Sequence, residues 1–312
     1  MIAEPHSGIH RQARAGRERR RLSAERALPY LLITPAALVI SGVFAYPALD
    51  NAWLSLWSWK FTAPQRGIFV GLGNYVELFT HNALFRQALG FTLLYTVVTL
   101  AVSLVLGLTS ALVLHPVTIS RRLLVGLLLL PYMISPVAAG LGWGLVWGRE
   151  FGLANYLLGT VFGIEPVAWL AEPAMAGVAL MTTEIWRSVP FVTLVLLGGL
   201  AAIPVELSEA ARLDGASVWQ ELRRITLPLL LPSLSVVIIF ETIFKLRVFD
   251  LIVALTGGGP GTSTHSLGLV LYRLYFRYFE GGTAAAVGMV LLLLGGLFAV
   301  LYLKLVPAEG RA

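Results

Sequence analysis

The chain has no cysteine. That excludes disulfide bonds, thiolate metal sites and a cysteine nucleophile, and leaves the redox compartment open. Charge is scarce as well. Only 13% of the 312 residues are charged, against 57% hydrophobic, where a soluble domain carries about 25% charge. Lysine is nearly missing: Lys60, Lys245 and Lys304 are the full set, and none sits in a GxxxxGK[ST] pattern, so the chain carries no Walker-type phosphate loop. His6, His10, His81, His115 and His265 lack metal-ligand spacing. No GxSxG nucleophile elbow occurs, no internal repeat stands out, and no loop is large enough for a separate catalytic domain. An enzyme, a membrane-bound glycosyl transferase included, has no constellation of residues to stand on.

What is present is apolar sequence in long runs. Six stretches approach the ~20 residues that a bilayer-crossing helix needs. They cover residues 28–49, 88–114, 123–147, 174–200, 229–255 and 284–306. Pro131 and Pro136 break the third. The composition and the runs predict an all-α polytopic membrane protein. Seven arginines (Arg11, Arg14, Arg17, Arg19, Arg20, Arg21 and Arg26) precede the first run. Such a tail is long for a signal-peptide n-region, so the first run is expected to be retained. No stacking aromatics sit among these arginines, and they are expected to meet anionic membrane lipid rather than nucleic acid.

Orientation follows from Lys and Arg. With the N-terminus inside, the inner segments hold the seven tail arginines with Arg121, Arg122, Arg212, Arg223, Arg224, Lys304 and Arg311. The outer ones hold Lys60, Arg66, Arg86, Arg149, Arg273 and Arg277. The bias predicts both termini in the cytoplasm and six crossings. The expected organisation is a cytoplasmic tail (1–27), a permease domain (28–306) with a cytoplasmic loop at 203–228, and a short tail (307–312). The outer segments Trp53 to Phe61 and Leu271 to Phe279 are rich in aromatics, which suit headgroup depth.

The loop is the long polar interruption. Pro204 suits a first helical turn. Leu207, Ala210, Ala211 and Asp214 recur at helical spacing and form a face of small side chains. Glu206 and Glu209 sit near the helix start, where the dipole favours anions. Gly215 permits a sharp turn. A second helix carries Val218, Leu222 and Ile225 with Trp219 beside them, and Pro228 is expected to end it. On pattern alone, an amphipathic segment lying on the membrane is as good a reading as a docking element.

A resemblance favours docking. EAARLDGASVWQELRRITLP closely resembles the EAA loop of binding-protein-dependent ABC importer permeases. Glu209, Ala210, Ala211, Asp214, Gly215, Ile225, Leu227 and Pro228 match that pattern, and Leu222 stands where the family usually has Phe. VGLGNYVELF (Val70 to Phe79), WRSVPF (Trp186 to Phe191) and LTGGGPGTST (Leu255 to Thr264) resemble the carbohydrate-uptake members, of the maltose and glycerol-phosphate type. Phe91 departs from the Asn that such permeases often have before Thr92.

The resemblance implies a type I ABC importer permease fold in a bacterial or archaeal inner membrane. The chain itself would be non-catalytic and hold no cofactor, with ATP and Mg on a partner. It implies EAA helices docked on two cytoplasmic ATPase subunits, a second related permease subunit, and an extracytoplasmic solute-binding protein that delivers a sugar or polyol. A disaccharide, a longer oligosaccharide and glycerol phosphate are all compatible with it.

Two groups of residues are left with two readings each. Glu184 and Arg187, Arg247 and Asp250, and Glu241 and Lys245 are spaced for self-neutralising pairs on a helix face. Alternatively they line a polar pathway, with Thr92, Tyr95, Glu184, Trp186 and Glu241 as candidates. Gly257, Gly258, Gly259 and Pro260 form either a flexible turn or a contact for the binding protein. An ion-coupled secondary transporter is the rival from another class; it could use Glu184 and Glu241 but would give the EAA stretch no role.

Overall fold

The computed structural model describes residues 29–63, 67–117 and 121–305, so the two expected tails lie outside the described residues. Two units separate at Trp53. The first contains one apolar helix, α1 (Pro29–Leu54), long enough to cross a membrane. Tyr30, Leu38, Phe44 and Leu49 along it are exposed, and one π-helical turn (Ser41–Ala45) interrupts it.

The second unit begins with a two-residue pairing of β1 (Trp57–Ser58) against β2 (Ile68–Phe69), antiparallel, with Trp57 opposite Phe69. Helix α2 (Gly73–Thr80) follows. Its buried Asn74 donates to the Ser55 and Trp57 carbonyls at 2.7 and 3.0 Å. That is the use this fold makes of the VGLGNYVELF motif. Helix α3 (Ala83–Leu114) is capped by Asn82, whose side chain accepts from Phe85 N–H at 2.9 Å.

The third apolar run forms two helices, α4 (Arg121–Met133) and α5 (Pro136–Val146), bent by 93° at their junction. The bend falls just before Pro136 because a residue preceding proline is driven out of the helical region. Ser135 is extended there, at ψ 148°, and caps α5 through Ala138 N–H. Pro131 stays inside α4. A short apolar helix α6 (Leu153–Phe162) precedes α7 (Pro173–Ala201), the fourth span.

Beyond the polar loop the chain departs from its expected boundaries. Helix α8 (Val205–Leu213) is followed by α9, which runs unbroken from Val218 to Leu246. Pro228 does not end the loop's second helix. A π-helical turn, Leu222–Thr226, lies just before it, with Leu227 N–H bonded to the Leu222 carbonyl. Proline normally clashes with the carbonyl four residues back. Here that carbonyl belongs to Arg224, inside the wider π turn, so the helix continues.

The fifth span also ends early. Arg247 caps α9, Phe249 is non-helical, and α10 (Asp250–Leu255) is a separate short helix packed on α5. Helices α11 (Leu267–Phe276) and α12 (Gly281–Leu305) complete the chain. Among the described residues, five helices are long and apolar enough to span, or six if the bent α4–α5 pair counts as one.

Three buried clusters hold α3, α7, α9, α10, α11 and α12 together. One joins Phe85, Leu267 and Val287, a second Tyr95, Leu180 and Ile252, and a third Ala111, Leu196 and Leu230. The two aromatic-rich segments around Phe61 and Tyr275 pack on each other. Phe61 meets Tyr275 edge-on at 4.6 Å, Phe61 N–H donates to the Phe279 carbonyl, and Gly282 N–H donates to that of Trp59.

Candidate functional sites: a charged cavity, a glycine loop and an exposed helical turn

Helices α7 and α9 each bring two ionisable residues to one place. Arg187 grips Glu184 with two nitrogens at 3.0 and 3.2 Å. Lys245 holds Glu241 at 2.8 Å on its own helix and reaches across to Glu184 at 3.5 Å. Its ammonium also donates to Ser188 Oγ at 3.2 Å, and Ser188 bonds Ser103 of α3 at 2.7 Å. The Lys245 side chain is fully buried, and those of Glu184 and Glu241 nearly so. Two carboxylates against two cations leave the cluster neutral, which is the condition under which buried charge is tolerated.

Two of the expected self-neutralising pairs therefore form, and the link between them is an addition. Ser188 lies within the quoted WRSVPF segment, but its role depends on α3 being alongside, which helical spacing within one span does not reveal. The third pair does not form as expected. The helix breaks between Arg247 and Asp250, and the Arg247 guanidinium instead lies over the Phe244 ring at 5.5 Å.

The charged cluster forms one wall of a cavity of about 420 Å³ that also reaches Arg247, Phe249 and Asp250. An adjoining cavity of about 270 Å³ shares Glu184 and Arg187 and adds Glu241, Tyr132 and Ser135. Of the candidate pathway residues, Glu184 and Glu241 are thus on cavity walls. Trp186 lines neither cavity and heads a row of indoles: it meets Trp143 edge-on at 5.4 Å, Trp143 stacks on Trp147 at 5.4 Å, and Trp147 lies 4.8 Å from Trp169. Thr92 and Tyr95 are fully buried off both walls. Thr92 accepts from Leu267 N–H at 2.9 Å and so ties α3 to the start of α11. The Tyr95 hydroxyl is buried with no hydrogen-bond partner among the described residues.

The glycine loop between α10 and α11 is held from several sides. Gly257, Gly258 and Gly261 have positive φ, and the Gly259–Pro260 bond is cis. Arg273 donates to the Gly257 carbonyl at 3.1 Å, Thr264 to that of Gly259 at 2.8 Å, and His265 Nδ1 to that of Gly258 at 2.8 Å. A Cβ on Gly258 would lie 2.6 Å from Leu269 and 2.8 Å from His265. His265 is fully buried. Burial, then the neighbouring Arg273, push its pKa below the ordinary 6.5, against the pull of its own backbone hydrogen bonds.

At the polar loop, Gly215 turns the chain with φ +77°. Ser217 and Gln220 form a reciprocal capping box at the start of α9. Arg212 reaches Glu221 at 3.5 Å across the turn. Of the matched residues, Ala211 is buried, Glu209, Ala210, Asp214, Gly215 and Pro228 are exposed, and Leu222, Ile225 and Leu227 are half-buried. The tip is strongly apolar for an exposed turn: Leu213, Val218 and Trp219 are 89%, 83% and 65% exposed. Helical spacing puts Val218 in a stripe but leaves out Leu213, which falls outside the periodic face. Among the described residues no cluster of side chains could hold a metal ion.

Residues 103–309 match the family described as the binding-protein-dependent transport system inner membrane component. Over 280 residues the chain is 36% identical to the trehalose/maltose transport system permease protein MalF of Thermococcus litoralis, covering 90% of this chain and 94% of that one. It is 35% identical over 286 residues to the trehalose transport system permease protein SugA of Mycobacterium tuberculosis, covering 91% and 90%. It is 33% identical to the sulfoquinovosyl glycerol transport system permease protein SmoG of Agrobacterium fabrum, covering 91% and 92%. The fold matches a chain of a bacterial ABC transporter involved in the import of the acidic polysaccharide alginate, with a TM-score of 0.76 at 23% identity, over 94% of this chain and all of that one.

Proposed function

Because this chain belongs to the family of binding-protein-dependent transport system inner membrane components, we propose that it is the permease subunit of an ATP-driven importer for a sugar. In this reading it forms half of the translocation pathway in a bacterial or archaeal inner membrane, and a second, related permease subunit forms the rest. Both termini are cytoplasmic and the chain crosses six times, α4 and α5 together making the third crossing.

The observation that carries this is the exposed apolar tip around Gly215. Exposed large apolar side chains in a cluster mark an interaction surface, and the chain has no phosphate loop of its own. Two cytoplasmic ATPase subunits, holding the ATP and Mg, supply the drive through Glu209 to Pro228. The extracytoplasmic binding protein meets the loop at Gly257 to Pro260. The names of the relatives support the solute class: trehalose, maltose and sulfoquinovosyl glycerol are sugars or sugar derivatives. The cavity suits such a solute, since its charges offer hydrogen-bond donors and acceptors without net charge. The same neutrality weighs against ion-coupled transport, which needs a carboxylate free to change partners; Glu184 and Glu241 are both held by cations.

The test is uptake in membranes carrying Gly215→Pro or Glu209→Lys. Proline cannot adopt the positive φ of Gly215, and lysine reverses the charge of the exposed Glu209 in the middle of α8. Both variants are expected to stay in the membrane and lose uptake. Normal uptake in both, or wild-type uptake that survives loss of ATPase activity but collapses with the proton gradient, would overturn the reading.

A further inference from the structure

One group of polar side chains is used neither by the charged cavity nor by the exposed tip. Arg273 and Arg277 are four residues apart at the end of α11 and therefore share a side of it. Between them and the start of α3 lies an open groove of about 550 Å³. Arg273 gives one N–H to the Gly257 carbonyl and keeps the rest of its five donors. The Arg277 side chain has no hydrogen-bond or ion-pair partner among the described residues. Asn82 lines the groove and, among the described residues, commits only its oxygen, to the α3 cap. Glu280 lines it too, but its carboxylate is neutralised by Lys60 at 2.9 Å. The groove is therefore net positive, with donors to spare.

Its other wall is apolar, formed by half-buried Leu84 over the buried Leu274, with the exposed Tyr278 ring at its edge, and its surroundings are aromatic. Tyr275, Phe276, Tyr278 and Phe279 are exposed beside it, the composition of a membrane–water interface. Helix α11 has ten residues, about 15 Å at 1.5 Å per residue, half of a hydrocarbon core. It can reach the headgroup layer but cannot span.

We propose that this groove binds the phosphodiester headgroup of an anionic phospholipid. Arg277 and Arg273 take the phosphate oxygens, for which the guanidinium fork is suited. An acyl chain lies along Leu84 and the exposed Tyr278 ring at the groove's edge. A free phosphate or a phosphorylated solute has the same oxyanion chemistry but would leave Leu84 and the exposed Tyr278 ring in water, so the lipid is the occupant both sides of the groove fit. The proposal rests on the six-span reading only in needing this end of the chain at the membrane surface.

The experiment purifies the assembled transporter into nanodiscs of phosphatidylglycerol and phosphatidylcholine and measures retained lipid by native mass spectrometry. Wild type is expected to retain phosphatidylglycerol preferentially. Arg277→Gln is expected to lower that preference about fivefold, the worth of one basic residue at a charged surface, and Arg277→Lys to keep most of it. Because the Arg277 side chain ties no other group, the glutamine variant should fold, and continued uptake by it would confirm that it has. Equal preference in wild type and Arg277→Gln overturns the proposal. Protection by inorganic phosphate in pure phosphatidylcholine discs, lost in Arg277→Gln, also overturns it and assigns the groove to free phosphate. Neither readout depends on the coupling loop, so a failure of the transport reading in the Gly215→Pro test would leave this result standing.

Discussion

Lys245 joins two spans: its ammonium lies 2.8 Å from Glu241 on α9 and 3.5 Å from Glu184 on α7, with none of its side chain exposed. Removing it leaves two carboxylates and one guanidinium in a buried place. Lys245→Met should therefore cost about 3–5 kcal/mol, the usual result of breaking a buried pair from one side. Lys245→Met with Glu241→Gln restores neutrality against Arg187 and should recover part of that loss. Thermal unfolding of the purified transporter reads both. A double variant less stable than the single one would show that the cluster is not held by charge balance.

Gly258 differs from its neighbour Gly257 in surroundings more than in backbone. Both have positive φ, but only at Gly258 would a Cβ meet Leu269 and His265. Gly257→Ala should cost about 1–2 kcal/mol for the left-handed backbone alone. Gly258→Ala should cost about 1–3 kcal/mol more because of overpacking. Midpoints of thermal unfolding for the two variants decide it, and equal losses would refute the steric account.

His265 gives the same loop a pH dependence with a definite sign. Its folded pKa lies below the ordinary 6.5, so the closed loop holds the neutral ring. Stability is complete above the unfolded pKa and falls as the pH drops below it, because only the opened loop takes up the proton. Hydrogen exchange across residues 257–264 should therefore speed up as the pH falls from about 7 to 5, after correction for intrinsic rates. His265→Asn should flatten that slope; an unchanged slope would place its origin elsewhere.

At the tip of the polar loop, Leu213→Asp and Trp219→Ala should release the ATPase subunits during purification. Both side chains are mostly exposed, so the permease itself should lose less than about 0.5 kcal/mol of stability. Retention of the ATPase by both variants would show that the tip is not the grip. Ser217→Ala, which removes the capping box, should cost about 1 kcal/mol and have a smaller effect on retention.

Much of the fold could be read from apolar run length, because a spanning helix announces itself by composition alone. The break before Pro136 was readable for a local reason as well. The fate of Pro228 was not: a π turn depends on how Leu222 to Thr226 hydrogen-bond, and no side-chain pattern records that. The early end of the fifth span hides in RVFD, where apolar and charged residues continue a helical spacing that the backbone abandons. In the cavity, intrahelical pairs were legible from i, i+3 and i, i+4 spacing. The bridge from Lys245 to Glu184 was not, since it depends on which spans are neighbours. Thr92 shows the same limit, its hydroxyl serving a backbone N–H 175 residues away.

The continuity of α9 through Pro228 makes that helix a strut from the loop to the cavity, with the π turn, Pro228 and Pro232 in its loop half. From Val218 beside the exposed tip to Lys245 in the charged cavity it measures about 40 Å at 1.5 Å per residue. A tilt of about 5° about its loop end carries Lys245 some 3–4 Å over that length. Glu241 rides on the same strut and stays in hand, whereas Glu184 stands on another span and is left behind. A stroke applied at the tip would thus arrive in the cavity as an exchange of partners: Glu184 kept by Arg187 alone, Lys245 by Glu241 alone, and the wall between them parted.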